Sequence, residues 1–165
     1  MKAIDFIEKF RKEGFVLSED LKSQLKNDKF RNELYKVILL KDVFSFHSLL
    51  QILFDFELSY RLNEAHDGEF FENIYHCAFL LFKIGDLQDV IPMWKAKRSD
   101  FDLGWGFDIQ FLVGAGVQKT IDFLENIKNP DAEKALEYIQ LCQTAGDFDN
   151  LPKWESFRKD YFAIN

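Results

Sequence analysis

Apolar residues return every three or four positions along almost the whole chain, the spacing of one face of an α-helix. Ile4, Ile7 and Phe10 set such a stripe on a first helix, and Gly14 supplies the residue that most readily adopts the left-handed turn closing it. Ser18 stands where an N-cap belongs, and Leu17, Leu21 and Leu25 mark a short second helix with a charged outer face. Asp28 can cap a third, in which Phe30, Leu34, Val37 and Ile38 face one way until Lys41-Asp42 ends the run. From Ser45 to about Asn63 the helical spacing continues through Phe46, Leu49, Leu50, Leu53, Glu57 and Tyr60. Ile52, Phe54 and Phe56 widen that arc to what a central helix needs. The polar stretch NEAHDGE, with Gly68, reads as a loop. Phe71, Ile74, Ala78, Leu81 and Phe82 then form another strongly apolar helix ending at Gly85. No segment alternates as a half-buried strand does, and no Asn-Gly or Asp-Gly sits between β-branched runs, so the expected fold is all-α.

The second half carries an echo. GDLQDVIPMW, Gly85 to Trp94, returns as GDFDNLPKW, Gly146 to Trp154, and Gly116 stands between them, 31 and 30 residues from its neighbours. After each glycine comes one apolar stripe: Leu87, Val90, Ile91 and Trp94; Val117, Ile121, Leu124 and Ile127; Phe148, Leu151, Trp154 and Tyr161. Asp86 and Asp147 can each cap the next helix, Pro92 and Pro152 should start or kink a helix, and Trp94 and Trp154 should wedge against neighbouring helices. In the linker KNPD, Asn129 is an N-cap and Pro130 a first-turn residue for a helix with Ala132, Ala135, Leu136, Ile139 and Cys142 on one face.

The run NPDAEKALEYIQLCQTAGDFDNLPKW resembles a short HEAT-type repeat of roughly 30 residues, and IYHCAFLLFKIGDLQDVIPMW resembles the same junction. This resemblance implies antiparallel helix hairpins stacked as a short right-handed α-α superhelix. Residues 71–165 would hold the repeat units and residues 1–70 the preceding helices, all in one domain. WKAKRSDFD followed by FDIQFLVGAGVQKTIDFL is similar to small bacterial helical proteins, some of them candidate toxin-immunity proteins. That likeness implies an inhibitor that masks a toxin domain.

Composition narrows the partner. A net charge of −7 and a pI near 5.0, with Lys and Arg spread along the chain, oppose binding to a phosphate backbone and favour a basic protein. The mixed acids and bases of MKAIDFIEKFRKEG are neither a signal nor a transit peptide. Asp55, Glu57 and Lys83 interrupt the longest apolar runs, so a cytoplasmic protein off the membrane is expected. Cys77 and Cys142 lie in apolar helical runs without metal-ligand spacing and are expected as buried thiols, not as a disulfide.

No HExxH, GxSxG, Walker A or dinucleotide-type GxGxxG is present. The glycines of GAG, Gly114 to Gly116, fit a helix boundary or a close helix approach better than a phosphate site. SDFDLGWGFDIQ is the most unusual stretch, because Asp100, Asp102 and Asp108 alternate with Phe101, Trp105 and Phe107 around two glycines. Read as a calcium loop beginning at Asp100, with Asp100 and Asp102 in the first two ligand places, it fails: the sixth residue is Trp105 where glycine belongs, and the twelfth is Phe111, which has no side-chain oxygen. Two readings survive. In one, the aspartates cap the next helix while the aromatics turn inward. In the other, Asp100, Asp102, Trp105 and Asp108 form a partner-binding surface that needs no cofactor, with the carboxylates facing Lys or Arg and Trp105 as anchor. A small acidic protein-binding module, an immunity-type inhibitor of a basic toxin, is the function this favours. Its rivals are an enzyme or ligand carrier pairing His47 or His76 with Asp42 or Asp55, and an adaptor that self-associates through its ends. His66, in the polar loop, completes the histidine set.

Overall fold

The computed structural model describes residues 1–63 and 69–164, so the loop expected around His66 and Gly68 lies outside the described residues. Among them the protein is 77% helical, with ten α-helices, short 3-10 turns and no strand, which establishes the all-α class. No helix among these residues is long and apolar enough to cross a membrane. The chain divides into two compact units, Met1–Cys77 and Ala78–Asn165, with the division inside a helix.

In the first unit, α1 (Ala3–Lys12) buries Ala3, Phe6, Ile7 and Phe10, a stripe at helical spacing that leaves Ile4 partly in solvent. Ile7 and Phe10 lie on the inner face as expected, and Ala3 and Phe6 share that face in place of Ile4. Gly14, at φ +71°, closes the helix. Its N–H donates to Arg11 O at 3.1 Å and the N–H of Phe15 donates to Phe10 O at 2.9 Å, the two-bond pattern that satisfies the last carbonyls. The rings of Phe10 and Phe15, 5.5 Å apart, seal it. After α2 (Glu19–Gln24), helix α3 (Asp28–Leu39) is capped by Asn27, whose Oδ1 accepts from the Phe30 N–H at 2.9 Å. The cap is one residue before Asp28, since Asn27 is extended (φ −89°, ψ 116°) and Asp28 is already in the helix.

A 3-10 turn, Val43–Phe46, leads into α4 (His47–Asn63). Its inner face carries an ionisable residue, Glu57, only 3% exposed, against Arg31 at 1%. Arg31 Nε donates to Glu57 Oε1 at 2.6 Å and Nη2 to Oε2 at 3.0 Å, while Nη1 reaches Leu25 O at 2.8 Å. Tyr35 adds its hydroxyl to Glu57 Oε1 at 2.8 Å, and burial pushes its phenol well above the ordinary range, so it stays a donor. A planar fork and a carboxylate satisfied this fully can remain charged inside a core. Helix α5 (Asn73–Ile84) is buried on every side from Asn73 to Phe82, whereas the wide arc expected of α4 is only partly buried: Phe54 is buried, Phe56 half-buried and Ile52 exposed.

In the second unit, α6 (Val90–Lys97), α7 (Phe101–Gly106), α8 (Val117–Glu125), α9 (Pro130–Ala145) and α10 (Leu151–Ile164) alternate with 3-10 turns at Leu87–Asp89 and Ile109–Val113. Gly85 (φ +68°) closes α5, with its N–H on Leu81 O at 3.0 Å. Gly146 (φ +85°) closes α9 with the two-bond pattern seen at Gly14, and the second bond runs from the Asp147 N–H to Cys142 O at 3.0 Å. Asp86 caps its 3-10 turn by accepting from the Gln88 N–H, whereas Asp147 completes the preceding helix instead of starting the next. Gly116 (φ +104°) stands at the start of α8 and closes no α-helix. Of the glycines of GAG, Gly114 serves close approach, since a Cβ there would lie 2.2 Å from Phe82 O, whereas one on Gly116 would meet nothing within 4 Å; the approach is shared by Gly85, where a Cβ would lie 2.8 Å from Gly114 O. Asn129 caps α9 through the Ala132 N–H at 2.8 Å, with Pro130 at its first position as expected. Trp94 is buried against Tyr138, and Trp154 meets Phe79, Phe82 and Phe111 edge-on, so both tryptophans of the echo are packed.

Glu57→Gln, by leaving the Arg31 cation uncompensated in the core, is expected to lower the unfolding free energy by about 3–5 kcal/mol in urea titration. The same change at Glu19, whose ion pair with Lys22 is solvent-exposed, should leave the curve unmoved.

Candidate functional site

Helix α7 is six residues long, FDLGWG, and two of them are glycine, each costing about 1 kcal/mol relative to alanine in a helix interior. Its conformation is therefore imposed from outside. At its start, Asp100 Oδ1 accepts from the Leu103 N–H at 2.7 Å. At its end lies Lys97, the last residue of α6 and itself buried, whose Nζ donates to Gly104 O at 2.8 Å and Phe107 O at 2.6 Å. A cation belongs at a helix C-terminus, where free carbonyls concentrate negative charge. Burial lowers the Lys97 pKa and the neighbouring Asp108 opposes that shift. Leu103 and Phe107 fasten the inner side of the segment, with the rings of Phe107 and Phe111 5.1 Å apart.

The outer side is aromatic and wet. Phe101 is 78% and Trp105 79% exposed, one helical turn apart, with ring centroids separated by 6.3 Å. Asp102 is exposed on the same short helix. The four residues expected to bind a partner thus divide. Trp105 and Asp102 face solvent, and Asp100 commits one oxygen to the cap. Asp108 is half-buried and accepts from Trp154 Nε1 at 2.8 Å and Arg158 Nε at 2.7 Å, tying α10 to this segment. Capping is right for Asp100 and inward packing for Phe107, but Phe101 and Trp105 turn outward. Where a calcium loop would expose alternating oxygens, the chain makes a helical turn; among the described residues no group of three or more His, Cys, Asp or Glu is placed to hold a metal ion.

Beside α7, Trp94 and Arg98 from the end of α6 and Lys134, Glu137, Tyr138 and Leu141 from α9 line a groove of about 240 Å³. The rings of Trp94 and Tyr138 lie 5.6 Å apart, and the Arg98 guanidinium sits 5.8 Å over Trp94. Leu141 is 65% exposed. The sequence pattern alone did not reveal this groove. The available signal was that Tyr138 and Leu141 fall outside the buried Ala132, Ala135, Ile139 and Cys142 face of α9. Burial, helped by Asp147, pushes the Cys142 thiol up to about 11, which keeps it un-ionised.

The residues of the alternative histidine sites occupy different environments. Asp42 and Asp55 are exposed, with Asp42 accepting from Ser45 Oγ at 2.9 Å, whereas His76 is buried with its ring 5.4 Å from that of Tyr35. His47 is half-buried. The carboxylate that shares Tyr35 with His76 is Glu57, already held by Arg31. Burial, with the Lys36 charge nearby, lowers the His76 pKa to about 3, so the imidazole is neutral at pH 7.

No protein-family model matches the chain, and no curated protein or solved structure matches it significantly.

The roles of buried Lys97 and buried, neutral His76 can both be tested. Lys97→Met strands the carbonyls of Gly104 and Phe107, and is expected to cost about 1–3 kcal/mol and to speed amide exchange in residues 101–107 more than elsewhere. For His76, the unfolded chain takes up a proton below about pH 6.5 that the folded chain refuses until about pH 3. Its contribution to stability is therefore complete above that window and declines by about 1.4 kcal/mol per pH unit on acidification through it. Urea titrations of His76→Gln and the parent between pH 7 and 4 should differ in slope by one proton.

Proposed function

We propose that this protein is a protein-binding module whose contact surface is the outer face of α7. The observation that carries the reading is the pair Phe101 and Trp105, both more than three-quarters exposed, on a helix clamped at both ends by Asp100 and Lys97. Aromatic side chains each bury roughly 150–250 Å² when covered, and are over-represented among residues that dominate binding energy. A clamped backbone lowers the ordering cost of association. The more specific form of the proposal is an immunity-type inhibitor that covers a basic toxin domain. It is supported by the net charge of −7, which would steer a cationic partner, and by Asp102 exposed near Trp105. The HEAT-like stacking read from the sequence belongs to the same proposal. Helix closures at Gly85 and Gly146 and the packing of α8 on α9 support it.

A photo-cross-linking amino acid placed at position 105 or 101 in cells expressing the protein is expected to yield discrete covalent adducts, identified by mass spectrometry. The same probe at Leu40, exposed in the first unit, should yield none. Trp105→Ala should change unfolding free energy by less than about 0.5 kcal/mol and abolish the adduct formed from position 101. Equal labelling at 40 and 105, or a Trp105→Ala protein that unfolds, counts against the surface.

A further inference from the structure

We infer that the surface covering α7 is a second copy of this chain: Phe101 and Trp105 of each protomer seat in the groove between α6 and α9 of the other. This rests on the reading of α7 as the contact surface, and it names a second copy in place of the basic toxin domain as the partner of that face. The groove, at about 240 Å³, is smaller than the roughly 300–1,000 Å³ of cofactor and drug-sized sites, and suits one or two side chains. Its lining combines the apolar surfaces of Trp94, Tyr138 and Leu141 with a charged rim of Arg98 and Lys134 against a single acid, Glu137. In a chain of net charge −7, that local excess of cations selects an acidic, aromatic knob. Helix α7 is such a knob, with Phe101 and Trp105 flanking Asp102.

The two surfaces are also placed for reciprocal use. Arg98 precedes Phe101 by three residues and α6 packs against α7, so knob and groove are neighbours on one unit. Neighbouring, complementary patches can be exchanged across a two-fold axis, each patch meeting the other's counterpart twice. Four aromatic anchors in such a dimer would bury roughly 600–1,000 Å². Leu141 and the rim residues bring the total to the neighbourhood of the about 1,000 Å² that a specific interface needs. Asp102 of one copy would then face Arg98 and Lys134 of the other.

Sedimentation equilibrium of the full chain from about 1 μM to about 1 mM tests this, with thermal melts confirming that each variant is folded. The parent is expected to dimerise with rising concentration. Trp105→Ala, Asp102→Arg and Arg98→Asp should each weaken the dimer about tenfold or more. The decisive sample is an equimolar mixture of the Asp102→Arg and Arg98→Asp proteins. Each variant repels its own kind, because positions 98 and 102 then carry the same charge, whereas the mixed pair sets opposite charges against each other at both contacts, so heterodimer should form. A dimer indifferent to all three substitutions, or a mixture that stays monomeric, overturns the inference. A parent that is monomeric throughout, while position 105 cross-links to a different protein, overturns the inference and leaves the α7 reading standing. Monomer with no adduct at 105 removes both.

Discussion

The second unit turns on one buried ammonium. Helix α7 is too short and too rich in glycine to hold its shape, since isolated helices below about 12–15 residues are marginal even in favourable sequences. Lys97 holds it by bringing a cation under the carbonyls of Gly104 and Phe107. The cost of that burial is visible in the lowered Lys97 pKa, and Asp108 offsets part of it. Asp108 is in turn fixed by Trp154 and Arg158, so the aspartate that helps keep Lys97 charged also fastens α10 to the segment after α7. The aromatic pair on the outer face owes its fixed position to this chain of contacts, and both rings remain more than three-quarters exposed.

The two units bury charge in different ways. Arg31 and Glu57 satisfy one another, together with Tyr35 and Leu25 O, in a closed arrangement inside the core. Such a cluster specifies how α3 and α4 meet, and its worth lies in register more than in net stability. The Lys97 arrangement is open by contrast: its acceptors are backbone carbonyls of the very segment that displays Phe101 and Trp105. Only the second cluster couples a buried charge to a surface, which is why α7, and not the histidine-bearing core of the first unit, carries the functional reading.

Features that depend on near neighbours were legible in the sequence. Gly14, Gly85 and Gly146 as helix closures, and Asn129 with Pro130 as a helix start, arise from chemistry within five residues, and each stands where expected. Degenerate local signals slipped by one position: Asn27 and Asp28 are both good caps, and backbone geometry chooses between them. Long-range pairings left no trace. Arg31 and Glu57 are 26 residues apart, and Asp108 is 46 and 50 residues from Trp154 and Arg158. Asp100, Asp102 and Asp108 look alike in SDFDLGWGFD, yet one caps, one is exposed and one is locked, and the difference is set by residues elsewhere. The composition of that stretch located the candidate site; its contacts determined which residues remain available.

That division of the aspartates changes the electrostatic argument as well. Three open carboxylates would have made the α7 face strongly acidic and suited to a basic partner. With Asp108 paired and Asp100 at a cap, Asp102 is the carboxylate left exposed on α7, next to a groove rimmed by Arg98 and Lys134. At physiological salt, charges separated by more than about 8 Å in solvent are largely screened. The overall −7 therefore opposes the approach of two copies weakly at contact, while the charges within the contact itself are felt in full. Local complementarity between one acidic, aromatic helix and one cationic, aromatic groove can thus outweigh the repulsion of two like-charged molecules. For the proposed contact at α7, the sign of the whole chain counts for less than the few charges within reach of Trp105.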